Sequence, residues 1–174
     1  MLAGACGAAD EPAPAPARPA ASDVGLVDER AGTVDGVRLG DGPGRMRGRF
    51  GPPVAGSPTR PTSQKGLPWI IPPPPGEGRA RSVSFPGRLA LVRGATGAYA
   101  LSIWERGART RAGVGLGDPL SLARERYGEL DCGVRNEGTE YVPYPYCRGR
   151  IAGHWIWFGQ DPIASITLTS TRPS

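Results

Sequence analysis

A six-residue segment, Gly36-Val37-Arg38-Leu39-Gly40-Asp41, returns 77 residues later as Gly113-Val114-Gly115-Leu116-Gly117-Asp118. The same offset aligns Arg47 with Arg124, Arg49 with Arg126, Phe50 with Tyr127 and Gly51 with Gly128. Nine matches or near-matches without a gap imply two copies of one unit of roughly 70–80 residues. Such a unit is short for a domain, so both copies are expected to share one body. Gly and Pro supply 27 and 20 of the 174 residues, which excludes a helical bundle or coiled coil. Glycine has no three-residue period, so collagen is excluded. No apolar run approaches the length of about 18 residues that a membrane-spanning helix needs.

The second copy shows the local plan more clearly. Asp118 is placed to cap a helix, and Pro119 suits its first turn. Leu120, Ala123 and Tyr127 form one apolar stripe, and Gly128 is placed to end the helix. The helix is expected over Asp118–Tyr127. The first copy keeps Asp41, Met46 and Phe50 but carries Gly42, Gly44 and Gly48. Each interior glycine costs about 1 kcal/mol relative to Ala, so this helix is frayed or held only by packing. Residues 51–81 read as a long Pro-rich loop, including Pro72-Pro73-Pro74-Pro75. Strands are expected over Leu89–Arg93 and Ala98–Glu105, then Tyr144–Ile151, His154–Gly159 and Ile163–Ser170. The fold class is therefore α+β: two tandem repeats, each a short helix followed by an antiparallel β-meander, after a disordered N-terminal tail. The expected divisions are residues 1–33 for the tail, 34–109 for the first repeat and 110–174 for the second.

Charge is unevenly spread. Residues 1–34 carry two bases against five acids, residues 35–112 carry 13 against four, and residues 113–174 carry six against seven. The basic middle suits phosphate or an acidic partner surface, or is simply a solvated face. No nucleic-acid-binding signature accompanies it, so no nucleic acid partner is expected.

The cysteines are Cys6, Cys132 and Cys147. Cys132 and Cys147 either form a disulfide, as suits an oxidising compartment, or remain buried thiols. No C-x-x-C pair exists and His154 is the only histidine, so neither a zinc site nor any cofactor is expected. Small residues precede Cys6 in Met1-Leu2-Ala3-Gly4-Ala5-Cys6, resembling the end of a bacterial lipoprotein signal. The Ala/Pro spacer Glu11–Ala17 follows, as a tether would. The charged and apolar parts of a signal are missing. Either Met1 is a misplaced start or the likeness is accidental.

Gly113, Val114, Gly117, Tyr127, Gly128, Cys132, Cys147, Trp157 and Phe158 together resemble the β-lactamase-inhibitor-protein-like fold, also a tandem repeat of helix-on-sheet units. Segment Thr110–Asp118 is similar to uncharacterised secreted or lipid-anchored bacterial proteins. The resemblance implies a protein-binding, non-enzymatic role. The first copy lacks a cysteine pair and so departs from the inhibitor pattern.

In His154-Trp155-Ile156-Trp157-Phe158, alternation puts Trp155 and Trp157 on one sheet face and His154, Ile156 and Phe158 on the other. With Tyr141, Tyr144, Tyr146, Trp104 and Arg150, the tryptophans compose a candidate binding surface. The alternative is that both faces are buried, with the first copy or the Pro-rich loop covering the second. No catalytic residue is assigned. No G-x-S-x-G elbow, Walker sequence or dinucleotide fingerprint occurs, and a triad has only His154 to use. The expectation is an extracytoplasmic, membrane-anchored or secreted module that binds a protein, peptide or envelope component. A structural envelope lipoprotein without a ligand and an envelope-acting enzyme are the alternatives.

Overall fold

Two antiparallel meanders meet through their last strands. In the computed structural model, which describes residues 25–55, 71–75, 80–94, 97–137 and 142–173, the first meander is β4 (Ala80–Phe85), β5 (Arg88–Arg93) and β6 (Ala98–Ile103). The second is β8 (Asp131–Glu137), β9 (Val142–Ile151), β10 (His154–Gly159) and β11 (Ser165–Thr169). β6 pairs antiparallel with β11, Ile103 opposite Ile166 and Leu101 opposite Leu168. The result is one seven-stranded sheet ordered β4-β5-β6-β11-β10-β9-β8. A small sheet, β3-β2-β1-β7, is built from β1 (Leu26–Asp28), β2 (Thr33–Val34), β3 (Val37–Arg38) and β7 (Arg109–Thr110). β1 runs parallel to β7 and so ties the two halves of the chain together.

The duplicated segments make the same hydrogen bonds. Arg38 N–H donates to Asp41 Oδ2 at 2.8 Å, as Gly115 N–H does to Asp118 Oδ2 at 2.8 Å. Gly40 N–H reaches Ala98 O at 2.7 Å, and Gly117 N–H reaches Ile163 O at 2.8 Å. Ala98 and Ile163 return the bond to Asp41 O and Asp118 O, at 3.0 and 2.8 Å. Gly40 and Gly117 hold φ of +97° and +90°, a region a side chain resists, which explains glycine at both positions. The meanders are less alike, with three strands in the first and four in the second.

The helices α1 (Pro43–Phe50) and α2 (Leu120–Tyr127) are each eight residues long. The expected capping role of Asp118 is not what the fold uses. Its carboxylate closes the preceding turn, and Pro119 occupies the N-cap position. Asp161, from the loop between β10 and β11, instead accepts the Leu120 N–H at 3.1 Å. α1 has no side-chain cap, and it packs through Met46 and Phe50, both buried.

Helices and small sheet lie on one face of the large sheet. Val27, Val34, Val37, Met46, Phe50, Leu120 and Ala123 pack against Ala90, Leu101, Ile103, Ile156, Phe158, Ile166 and Leu168. The opposite face carries a second, smaller core of Leu89, Leu91, Tyr99, Ala100 and Trp157 beneath Ile71. Several short elements depart from expectation. β1 and the start of β2 lie ahead of residue 34, and β1 to β3 are too short to show a period. The segment read as a loop up to Arg81 supplies the buried Ile71 and the start of β4, and β8 was also not expected.

Cys132 and Cys147 are joined, sitting directly opposite each other on β8 and β9 with 4.0 Å between Cα atoms. Replacing both by Ser is expected to lower stability by about 3 kcal/mol, since the bridge restricts the unfolded chain. A urea titration measures this; an unchanged midpoint would mean that strand pairing alone holds β8.

Candidate functional site

The aromatic face proposed from the sequence is real as a row but largely closed. Trp157 is 1% exposed and stacks on Tyr146, with ring centroids 4.3 Å apart at 11°. Tyr144 and Tyr146 are half-buried against the same core. Alternation placed Trp157 on the correct face; it could not show that Ile71 lies over that core. The covering segment is fixed at two carbonyls: Thr171 Oγ1 donates to Pro72 O at 2.8 Å, and an Arg93 guanidinium N–H donates to Pro74 O. Trp157 is therefore core and offers nothing to a partner.

Trp155 is half-buried, and the Arg172 guanidinium lies 5.5 Å from its ring centre. Arg150, its register neighbour on β9, is exposed. Trp104 is 41% exposed just past β6. The register sets Trp155 level with Thr169 and Ala100, so four residues, about 13 Å of strand, separate the level of Trp155 from that of Trp104. The two do not share a patch. Tyr141 and Cys6 lie outside the described residues.

The disulfide-bearing end of the sheet is more open. Among the described residues β8 pairs only with β9, which leaves it the last strand of the sheet order. Val134, in the middle of β8, is 64% exposed. At the far edge, Val54 N–H donates to Ser84 O at 2.9 Å and covers part of β4. Arg148 braces the β8 end: its guanidinium contacts Asp131 at 2.7 Å, donates to Pro173 O at 2.5 Å, and lies 5.7 Å from the Tyr146 ring centre.

A cleft of about 310 Å³ lies at the opposite end of β10, between Leu39-Gly40, Gly97-Ala98-Tyr99, Pro74, Ser170 and His154. Among the described residues no carboxylate lines it, and the Ser170 hydroxyl donates to Tyr99 O at 3.3 Å. The His154 ring packs against Gly32, where a Cβ would stand 2.7 Å from Nε2. His154 and Ser170 thus share a cleft, and among its described lining residues no carboxylate accompanies them. Among the described residues no three His, Cys, Asp or Glu side chains converge as metal ligands, and no helix is long and apolar enough to cross a membrane.

Two buried polar clusters were not anticipated. Glu29, 4% exposed, accepts the Arg111 and Ala112 N–H groups at 3.2 and 3.3 Å and the Tyr127 hydroxyl at 3.0 Å. Burial, with the Glu29 charge adding to it, pushes the Tyr127 phenol well above its ordinary pKa, so it stays a donor. Arg88 pairs with Asp35 and Glu105 between the two sheets. Both clusters join residues tens of positions apart, and no local signal marks them.

Comparison of the chain with protein-family models, with curated proteins and with solved structures finds no match.

Proposed function

We propose that the chain is a non-catalytic extracytoplasmic binding module, tethered by a lipid at Cys6, that captures a protein or peptide partner by strand addition at β8. The observation that carries this reading is the open β8 edge: an outer strand stapled by Cys132–Cys147, with Val134 64% exposed. An edge strand offers unpaired backbone groups to a second chain, and a fixed edge lowers the entropy cost of pairing. The disulfide agrees with an oxidising compartment. The duplicated turns and helices support two copies of one unit, and with that plan the likeness to β-lactamase-inhibitor-protein-like repeats enters as analogy. In this reading Arg150 and Trp155 lie past the Asp131 end of β8 and on the other sheet face from Val134, so they stand outside the contact, while Trp157, Tyr144 and Tyr146 shape the sheet.

A photo-crosslinking residue at Val134 should give a discrete adduct in cells, and one at Arg106 should not. Val134→Arg in a chain crosslinked from Arg135, the next residue of the same edge, should weaken the adduct at least tenfold with unchanged thermal unfolding. Equal labelling from all positions, or an adduct indifferent to Val134→Arg, would remove β8 as the contact. Lipid at Cys6 is tested separately, by metabolic labelling of the expressed gene product with and without Cys6→Ser.

A further inference from the structure

The two helices occupy equivalent places but present opposite surfaces. In α1, Met46 and Phe50 point into the core. At 3.6 residues per turn, Gly44 and Gly48 fall on the outward side, with Arg45 and Arg49 along one flank and Arg47 along the other. All five are exposed. A Cβ added at Gly44 or Gly48 would meet nothing within 4 Å, so no internal packing requires glycine there. In α2 the same outward positions are Ser121 and Glu125, between Arg124 and Arg126. α2 therefore sets one acid against its two arginines, whereas α1 carries three arginines and no acid. Asp41 is the one acid between residues 36 and 54, and its carboxylate accepts the Arg38 N–H. Arg49 Nε donates to a carbonyl, Asp35 O, at 3.1 Å, which leaves its charge uncompensated by that contact.

From this contrast we propose that the outward face of α1 is a docking surface for an anionic phospholipid membrane. The glycine ridge keeps the backbone low, so the three arginines reach past it to headgroup phosphates, which guanidinium groups recognise through paired N–H donors. Choosing lipid over other phosphates rests on the Cys6 anchor proposed above. Eighteen residues separate Cys6 from Gly25, enough chain to lay the body on the surface that holds the anchor. The duplicated helix supplies the internal comparison, because Gly48 against Glu125 and Arg45 against Leu122 separate three arginines without an acid from two arginines with one.

The test uses the full chain carrying Cys6→Ser, so that no lipid is attached, and sedimentation with phosphatidylcholine vesicles with or without phosphatidylglycerol. Binding is expected only to the anionic vesicles and should vanish at about 1 M salt, where screening acts within about 3 Å. Arg45→Gln with Arg47→Gln should weaken it about 25-fold, at about fivefold for each arginine. Gly48→Glu should weaken it at least fivefold while raising thermal stability, because glycine is a poor helix former. Gly48→Ala should raise stability and leave binding intact. Equal binding to neutral vesicles, no binding by the parent chain, or indifference to the double arginine variant would overturn the proposal. So would binding to soluble polyphosphate but not to anionic vesicles. Loss of Cys6 labelling in cells with vesicle binding intact would remove the anchor and leave the surface.

Discussion

Trp157→Ala is expected to destabilise the protein by about 3–5 kcal/mol and to lower its thermal midpoint by roughly 10 °C or more. The indole is fully buried, stacks on Tyr146 and packs with Leu89, Leu91, Tyr99 and Ile71. Its removal leaves a cavity between sheet and covering segment that neither can easily fill. Trp155→Ala, two residues away on the same face, should cost only about 1 kcal/mol, since it forfeits a half-buried ring and its contact with Arg172. Paired thermal melts measure the contrast. Equal small effects would mean that the second core is not closed and would return Trp157 to the candidate binding surface.

The pair also shows where sequence reading ends. Period-two alternation placed both tryptophans on one face, as the register confirms through Arg150 and Arg148 opposite them. What covers that face depends on Ile71, more than 80 residues earlier and within a segment that reads only as Pro-rich loop. The helix over Leu120–Tyr127 was legible because its stripe and closing glycine are local. Its capping carboxylate was not, because Asp161 arrives from a turn 41 residues away while the nearer Asp118 is consumed by its own turn. The edge position of β8 was equally hidden. D-C-G-V-R-N-E alternates only through Cys132 and Val134, too briefly to mark a strand, and its strand state comes from pairing with β9. The duplication, by contrast, was legible at the level of turns, because the left-handed Gly40 and Gly117 constrain residue type directly. The lipid-facing reading of α1 needed both levels, the repeat from the sequence and the buried side of each helix from the structure.

Arg88 should be the least replaceable charged residue of the fold. Its guanidinium donates to Asp35 Oδ2 from Nε and NH2, at 2.6 and 2.5 Å, and to Pro86 O at 3.0 Å. It also meets the Glu105 carboxylate and lies 5.5 Å from the Phe50 ring centre. β5, the β2–β3 turn, α1 and the segment after β6 thus converge on one side chain. The Asp35 side chain is 9% exposed, and its other oxygen accepts the Leu26 N–H at 2.9 Å, so it has little water to fall back on. Arg88→Met keeps much of the buried volume but leaves that carboxylate uncompensated, and about 3–5 kcal/mol should be lost. The Glu105 share is small, because its side chain is 43% exposed and water screens it. Asp35→Asn keeps one acceptor oxygen, for the Leu26 N–H, but turns an NH2 donor toward the guanidinium, and alone it leaves Arg88 without its buried counter-ion. Combining Asp35→Asn with Arg88→Met should therefore recover part of the single-variant loss, giving a coupling of about 1–3 kcal/mol in a denaturation cycle. Additive losses would mean that the two residues stabilise separate elements. A loss below about 1 kcal/mol for Arg88→Met would show that the interface between the sheets is held by its apolar contacts, with the ion pair contributing only register.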